Sequence, residues 1–563
     1  MRFCNNPETI EGVRNDFDAL RGGPFVMRKG RQNYYYSGNC HVLVDGMTQS
    51  GKTVSATIPF IKSTIRAGES FISVDPKGEI FRMTGALAGE KHNVIVIDLA
   101  NPEKSRDSIN LLGIFCNMYK SKNISVREKG EKEFYDFSTA LYPREESKDT
   151  FWPVSAAELF RGVGYLLFEH AEKEEEINLR SLCEILAGES GTRTNLMNIQ
   201  EHLPDSSRAK KDLKTYKSAA SDTRASILVS ALGGIAVFKS SSCLTDMLSS
   251  STFDLEKLDI DKKPLAFYII LPAYSKAYDP IAGLIINVLI NHFLELSVNN
   301  YSGSLPGRLS IVIEEAGTVS GTISNLPSYI SSVLGNNMRF FLVAQNARSQ
   351  FAGIFNASGA ETIMSAIGMN IIFKNTLDSL AYYSRQFGTV SDGKGGQIPV
   401  LTENQLASLR TGQYAVIINN EHRFVTHFSS ACSEDAEAPE FSMRRRGKVI
   451  IFSPEKFLRN LIEKKRAALE PSGSPDFSSY LTDRDRKFAE DMKKIEESIR
   501  RIDEEEKKKD ENKKEESVKE KKGKNGKGEK AGKKDTGAGK EGGKAGKDKP
   551  EKDKPDKDKP EDN

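Results

Sequence analysis

At 563 residues the chain is too long for one simple domain, and 38% apolar residues are enough for a sizeable core. The net charge is +3, but residues 507–563 hold 21 Lys against 15 Asp or Glu, so everything before them carries −3. That excludes a globally basic nucleic-acid surface and leaves room only for a local one.

Residues 1–38 are polar and carry no secretory signal pattern. Residues 41–44 (His-Val-Leu-Val) form a short apolar run that meets the turn Asp45-Gly46 and then the Gly51-Lys52-Thr53 that opens a helix, expected to reach about Ile65. Residues 70–74 form a second run ending in Asp75-Pro76-Lys77-Gly78, a turn that follows the strand next to the phosphate loop. Residues 94–97 form a third, ending in Asp98. Short β-branched runs that end in acidic or turn residues, with helical stretches between them, predict a parallel α/β sheet. Residues 265–271, 309–313, 340–344 and 371–373 continue the series, and 414–418 with 424–427 read as a closing pair.

Residues 117–250 break this rhythm with helical patterns such as 156–170 and 224–238, and predict an inserted all-α domain. Residues 280–294 are the longest apolar stretch. Asn287, Asn291 and His292 interrupt it, and it is shorter than the ~20 residues a membrane span needs, so a buried helix and no transmembrane segment are expected. Residues 451–506 read as a charged helical segment, in which Leu481, Phe488, Met492, Ile495, Ile499 and Ile502 form a short heptad seam. From Lys507 to Asn563 there are no aromatics and Val518 is the one large aliphatic residue, so a disordered Lys/Glu/Gly-rich tail is expected. The six cysteines show no Cys-x-x-Cys pair and no zinc spacing, and read as reduced thiols of a cytosolic protein.

The chemistry starts at Gly46-Met47-Thr48-Gln49-Ser50-Gly51-Lys52-Thr53, which fits Gly-x4-Gly-Lys-Thr. Glycines let the backbone fold around phosphate, and the helix N-terminus adds positive potential. In this reading Lys52 neutralises β/γ oxygens of ATP and the Thr53 hydroxyl completes Mg2+ coordination. A second acidic site should lie at another strand end, and Glu314-Glu315 after residues 309–313 supplies it. Glu314 is the candidate for the metal shell and Glu315 for the base that polarises the attacking water. Gln345, with Asn346, ends the following strand and is placed to contact the γ-phosphate or the lytic water.

Together these pieces resemble the conjugative type IV secretion coupling proteins, the TraG/TraD type of DNA-transfer ATPase, over about residues 41–430. The matching text is the run into the phosphate loop, residues 71–79 with Asp-Pro-Lys-Gly-Glu, residues 94–98 followed by Ile109-Asn110-Leu111-Leu112, Phe151-Trp152 with Ala156-Ala157, Leu271-Pro272, Glu314-Glu315-Ala316-Gly317, and residues 339–345. The resemblance implies an α/β fold: a RecA-like P-loop NTPase domain (1–116 and 251–450) with an inserted all-α domain (117–250), a helical C-terminal segment (451–506) and a disordered tail (507–563). It implies a homo-hexamer that hydrolyses ATP with Mg2+ and pumps relaxase-bound single-stranded DNA toward type IV secretion channel components. The expected location is cytoplasmic, peripheral at the inner face of the cell membrane.

The sequence departs from the family at three points. The usual membrane-spanning start is absent here, which leaves truncation, a separate membrane anchor or a soluble subtype open. Glu314 stands where Asp is usual. Residues 333–337 lack the basic residue that in some relatives reaches a neighbour's ATP, so Arg339, Arg348 and Arg385 are substitutes of equal standing. A nucleotide-gated receptor with little hydrolysis and a double-strand DNA translocase are the alternative functions. The Arg444-Arg445-Arg446 cluster reads either as solvated or as bound to phosphate.

Overall fold

The computed structural model describes residues 11–15, 21–29, 31–143, 149–319, 323, 325–393, 395–427, 441–444, 446 and 452–469. These all belong to one compact unit, residues 1–470. The expected heptad seam and the Lys-rich tail lie outside the described residues.

Fourteen strands are described. Three short ones, β1 (Val13–Asn15), β2 (Phe25–Lys29) and β3 (Gln32–Tyr36), form an antiparallel sheet in the order β1-β3-β2. The central sheet is built from β4 (His41–Asp45), β5 (Ser70–Asp75), β6 (Asn93–Asp98), β7 (Leu265–Ile270), β8 (Leu309–Ile313), β9 (Met338–Ala344), β10 (Ile367–Ile372), β13 (Gln413–Ile418) and β14 (His422–His427). Between β10 and β13, β11 (Thr389–Ser391) and β12 (Gln397–Pro399) make a small hairpin. The central order is β14-β13-β10-β4-β9-β8-β5-β7-β6. From β10 to β6 every neighbour is parallel, and the expected closing pair, β13 and β14, is antiparallel.

One expectation needs correcting here. β5 follows the phosphate-loop strand in sequence but not in space, because β9 and β8 lie between β4 and β5. A chain that leaves β4 by a helix and crosses over leaves gaps that later strands fill, a topology that short apolar runs do not encode.

Both faces of the sheet are buried, and alternate residues supply two separate cores. Leu43, Ile72, Ile95, Phe267, Ile311 and Phe340 face one core. Val42, Phe71, Val94, Tyr268, Val312 and Phe341 face the other, where they meet Phe25 and Tyr34–Tyr36 of the small sheet. The first core runs on without a break into the helices that join β6 to β7, from Leu111–Tyr119 to Ser242–Met247. Asn110 caps the first of these, accepting from Gly113 N at 3.1 Å. The apolar stretch at 280–294 lies inside the helix Asp279–Asn300, whose Ile281, Ile285, Leu289 and Phe293 are buried in the same core. Its length and composition would suffice to cross a membrane, but its apolar window is 61% buried in protein.

The charged C-terminal segment begins with the helix Pro454–Leu469, which buries Leu458, Leu461 and Ile462 in the core shared with the helices between β6 and β7. Lys464 pairs with Glu172 there.

Candidate nucleotide site

In a parallel sheet the loops after the strands gather at one edge, and a ligand binds there. The loop after β4 carries Gly46 to Thr53. Gly46 N donates to Ala344 O of β9 at 3.2 Å, and Met47 N to Lys374 O after β10 at 2.9 Å, so both neighbouring strands hold the loop. Gly46 tolerates no side chain, because a Cβ would stand 2.5 Å from that of Phe373. Gln49 and Gly51 take left-handed φ values of 63° and 94°, which turn the backbone around the loop's hollow. The Ser50 hydroxyl braces the loop by donating to Met47 O at 2.8 Å. Thr53–Thr57 opens the following helix as a wide turn before the α-helix Ile58–Arg66.

Lys52 Nζ donates to Gly46 O at 2.5 Å and Met47 O at 2.9 Å, and no carboxylate among the described residues pairs with it. Burial lowers its pKa, while Glu314, Asp45 and Glu315 work in the opposite direction. A partly buried ammonium held by loop carbonyls fits an anionic phosphate chain, and Thr53 and Glu314 are a hydroxyl and a carboxylate fit for the metal that accompanies it.

Glu314 and Glu315 leave the end of β8. Glu314 is 7% exposed, and its Oε1 accepts from Thr57 Oγ1 at 2.7 Å. Burial pushes its carboxyl up to about 7, with the nearby Asp75 charge adding to the rise and the Thr57, Lys52 and Thr53 groups opposing it. Glu315 is partly exposed with φ 53°, a strained conformation for a side-chain-bearing residue and a common one at functional turns. Gln345 ends β9, between β4 and β8, and its Oε1 accepts from Thr48 Oγ1 at 3.0 Å. The predicted residues therefore meet at one sheet edge, with Gln345 in direct contact with the loop.

Sequence reading missed three supports. Thr57 sits one helical turn past Thr53, and the i, i+4 spacing was the available signal. Asp45, read as a turn residue, is 2% exposed and accepts from Tyr383 OH at 2.9 Å, Asn375 Nδ2 at 2.9 Å and Ala347 N at 3.3 Å. It pins the base of the loop to segments that follow β9 and β10. Gln350 Oε1 accepts from Gln345 N at 3.1 Å and so fixes the backbone of the glutamine.

The three substitute arginines separate. Arg339 is fully buried at the opposite edge of the sheet, where it donates to Ser310 Oγ at 2.9 Å and Gly22 O at 3.1 Å, lies 3.6 Å from Glu69 and stacks on Phe60. Its guanidinium is therefore committed to the interior of the chain. Arg348 is exposed over the Tyr382 ring, and Arg385 is exposed. Arg444 and Arg446 are packed against the β6 edge through Asp107, Val94 O and Pro102 O.

Residues 3–394 match the family model described as type IV secretory system conjugative DNA transfer. The chain belongs to this family. No curated protein matches the sequence. Among solved structures, the plasmid coupling protein TrwB in complex with the ATP analogue ADPNP aligns at TM-score 0.51 and 15% identity, covering 72% of this chain and 87% of that one. TrwB in complex with ADP and Mg2+ aligns at TM-score 0.50 with the same identity and coverage. The VirB4 of Thermoanaerobacter pseudethanolicus aligns at TM-score 0.45 and 10% identity, over 74% of this chain and 98% of that one. The fold of this conjugative-transfer chain is that of a RecA-like P-loop NTPase.

Proposed function

We propose that this member of the conjugative DNA-transfer family binds ATP with Mg2+ and hydrolyses it to drive single-stranded DNA, carried with a relaxase, toward a type IV secretion channel. The observation that carries the reading is the meeting of the loop, Glu314, Glu315 and Gln345 at one sheet edge, with Thr48 bonded to Gln345. The TrwB complexes with ADPNP and with ADP and Mg2+ support the choice of ligand.

In this reading Lys52 and the loop amides would hold the phosphates, and Thr53 and Glu314 would hold the metal, which would offset phosphate charge. Glu315 takes a proton from water as the water oxygen bonds to the terminal phosphorus and the bond to the bridging oxygen breaks. Gln345 orients that water. The chain works as a homo-hexamer at the cytoplasmic face of the membrane. The all-α stretch 117–250, set between the halves 1–116 and 251–450 of the motor, faces the substrate.

A second reading, a nucleotide-gated receptor with little hydrolysis, is favoured by one observation: the Glu314 carboxyl is pushed up to about 7 and is partly protonated near neutrality.

Steady-state ATPase with and without single-stranded DNA separates the two. Lys52→Ala and Glu315→Gln are each expected to lower turnover at least 100-fold, and only Lys52→Ala should also weaken nucleotide binding. Wild-type turnover no greater than that of Lys52→Ala under every DNA condition would leave the receptor reading standing.

A further inference from the structure

The turn Asp75-Pro76-Lys77-Gly78 has no role in the scheme above, yet it is tightly built and lies at the same sheet edge. It leaves β5, the strand beyond β8 on the side away from the loop. Along the edge the groups therefore run from the loop on β4, through Gln345 on β9 and the two glutamates on β8, to Lys77 after β5.

The backbone at Lys77 is fixed on both sides. The Asp75 carboxylate, 2% exposed, accepts from Lys77 N at 3.4 Å and from Phe81 N at 2.9 Å. Pro76 is buried, and Gly78 takes φ 68° to start the helix Glu79–Lys91. The Lys77 side chain, by contrast, is exposed and makes no ion pair or hydrogen bond among the described residues. The Asp75 carboxylate thus caps the helix and holds the turn, and the unpaired Lys77 side chain is carried out from a fixed backbone toward the sheet edge. Lys52 in the loop after β4 and Lys77 in the turn after β5 stand on the same sheet edge, an arrangement that a polyphosphate neutralises.

We infer that Lys77 is the second cation of the triphosphate site and contacts the terminal phosphate from the far side of Glu314 and Glu315. The inference rests on the proposed nucleotide site. The distal phosphate is assigned because β5 lies past the glutamates, where the reacting end of the chain would sit, whereas the loop after β4 holds the proximal phosphates. A charge on that end acts where negative charge is redistributed as the terminal group departs, so its loss reduces turnover more than ground-state binding.

The test uses the full-length chain, with ATPase kinetics and titrations of ADP and a non-hydrolysable ATP analogue. Lys77→Ala is expected to lower kcat about 10- to 100-fold, with ADP affinity within about twofold of wild type. Lys77→Arg should recover most of the loss, and Lys104→Ala, an exposed lysine after β6, should change neither quantity. Lys52→Ala should weaken ADP and analogue alike, which tests the nucleotide site independently of Lys77. If the wild type does not turn over, the hydrolysis reading fails, and the ratio of analogue to ADP affinity becomes the readout. A fall of fivefold or more in Lys77→Ala then supports the contact, and an unchanged ratio overturns it. Turnover within twofold of wild type in Lys77→Ala, or a loss confined to DNA stimulation, also overturns it.

Discussion

Thr57→Val is the most informative single change at the site. The two side chains have nearly the same shape, so the substitution removes a hydroxyl and little else. That hydroxyl donates to Glu314 Oε1 at 2.7 Å, and the donor and acceptor residues are 0% and 7% exposed, so water cannot replace the bond cheaply. A hydrogen bond to a charged group contributes about 1.5–3 kcal/mol, and one pKa unit corresponds to about 1.4 kcal/mol. Losing the bond should therefore raise the Glu314 carboxyl by roughly one to two units, starting from about 7. At pH 7.5 the variant would hold Glu314 mostly protonated, and a protonated carboxyl is a poor metal ligand.

The assay is Mg2+-dependent ATPase activity from pH 6 to pH 9.5. The acidic limb of the profile should move up by about one unit or more, and Mg2+ should bind about tenfold more weakly at pH 7.5. Thr57→Ser keeps the donor and should track the wild type. The same group affects folding. Its pKa is higher in the folded chain than its ordinary 4.5, so its contribution to stability is complete below that value and is lost as pH rises through about 7. Thr57→Val should carry that loss to higher pH. An acidic limb that stays in place, with Mg2+ affinity unchanged, would refute the argument that Thr57 sets the charge of Glu314.

Two further predictions concern the frame. Arg339→Ala leaves Glu69 buried with Arg308 as its remaining partner and strands the Ser310 hydroxyl, so a loss of about 3–5 kcal/mol is expected by chemical denaturation. Nucleotide affinity should hold, because this cluster lies at the opposite edge from the loop, and a stability equal to wild type would contradict the burial argument. Glu133, on the helix Ile124–Leu141, accepts from Asn291 Nδ2 at 2.8 Å, and burial pushes its carboxyl up to about 7 from 4.5. Its contribution to stability is therefore lost as pH rises through about 7. Glu133→Gln stays neutral and should be more stable than wild type at pH 8, by on the order of 3 kcal/mol, and should match it near pH 4.5 in thermal melts.

Much of the motor frame was legible because buried parallel strands leave a strong mark. The runs ending at Asp75, Asp98, Ile313 and Ala344 are dominated by large apolar residues, interrupted only by small serines such as Ser73 and Ser310, and each is a strand in the structure. The first part of β10 was missed because Gly368 and Asn370 interrupt its pattern, and β1–β3 because the buried Tyr34, Tyr35 and Tyr36 sit among polar residues. Site residues announced by a strand end or by the glycine spacing could be read directly. Asp45 and Thr57 were harder, since they act through partners 257 to 338 positions away, and Gln350 acts through a backbone amide five residues back whose position only the fold fixes. Arg339 illustrates the converse: its charge suggested an exposed role, while Glu69 and Arg308 from other strand ends bury it.

The core that passes without a break from Leu43 and Ile72 of the sheet into Phe134, Phe160 and Leu182 of the intervening helices has a mechanical consequence. A close-packed interior has low compressibility and transmits strain rather than absorbing it. A displacement of about an ångström at the strand ends would therefore be delivered to the far helices with little loss. The sheet and these helices would then move as one stiff body, and any compliance would have to reside outside this core. Softening this core, for instance by truncating Phe160, should cost stability and weaken that transmission.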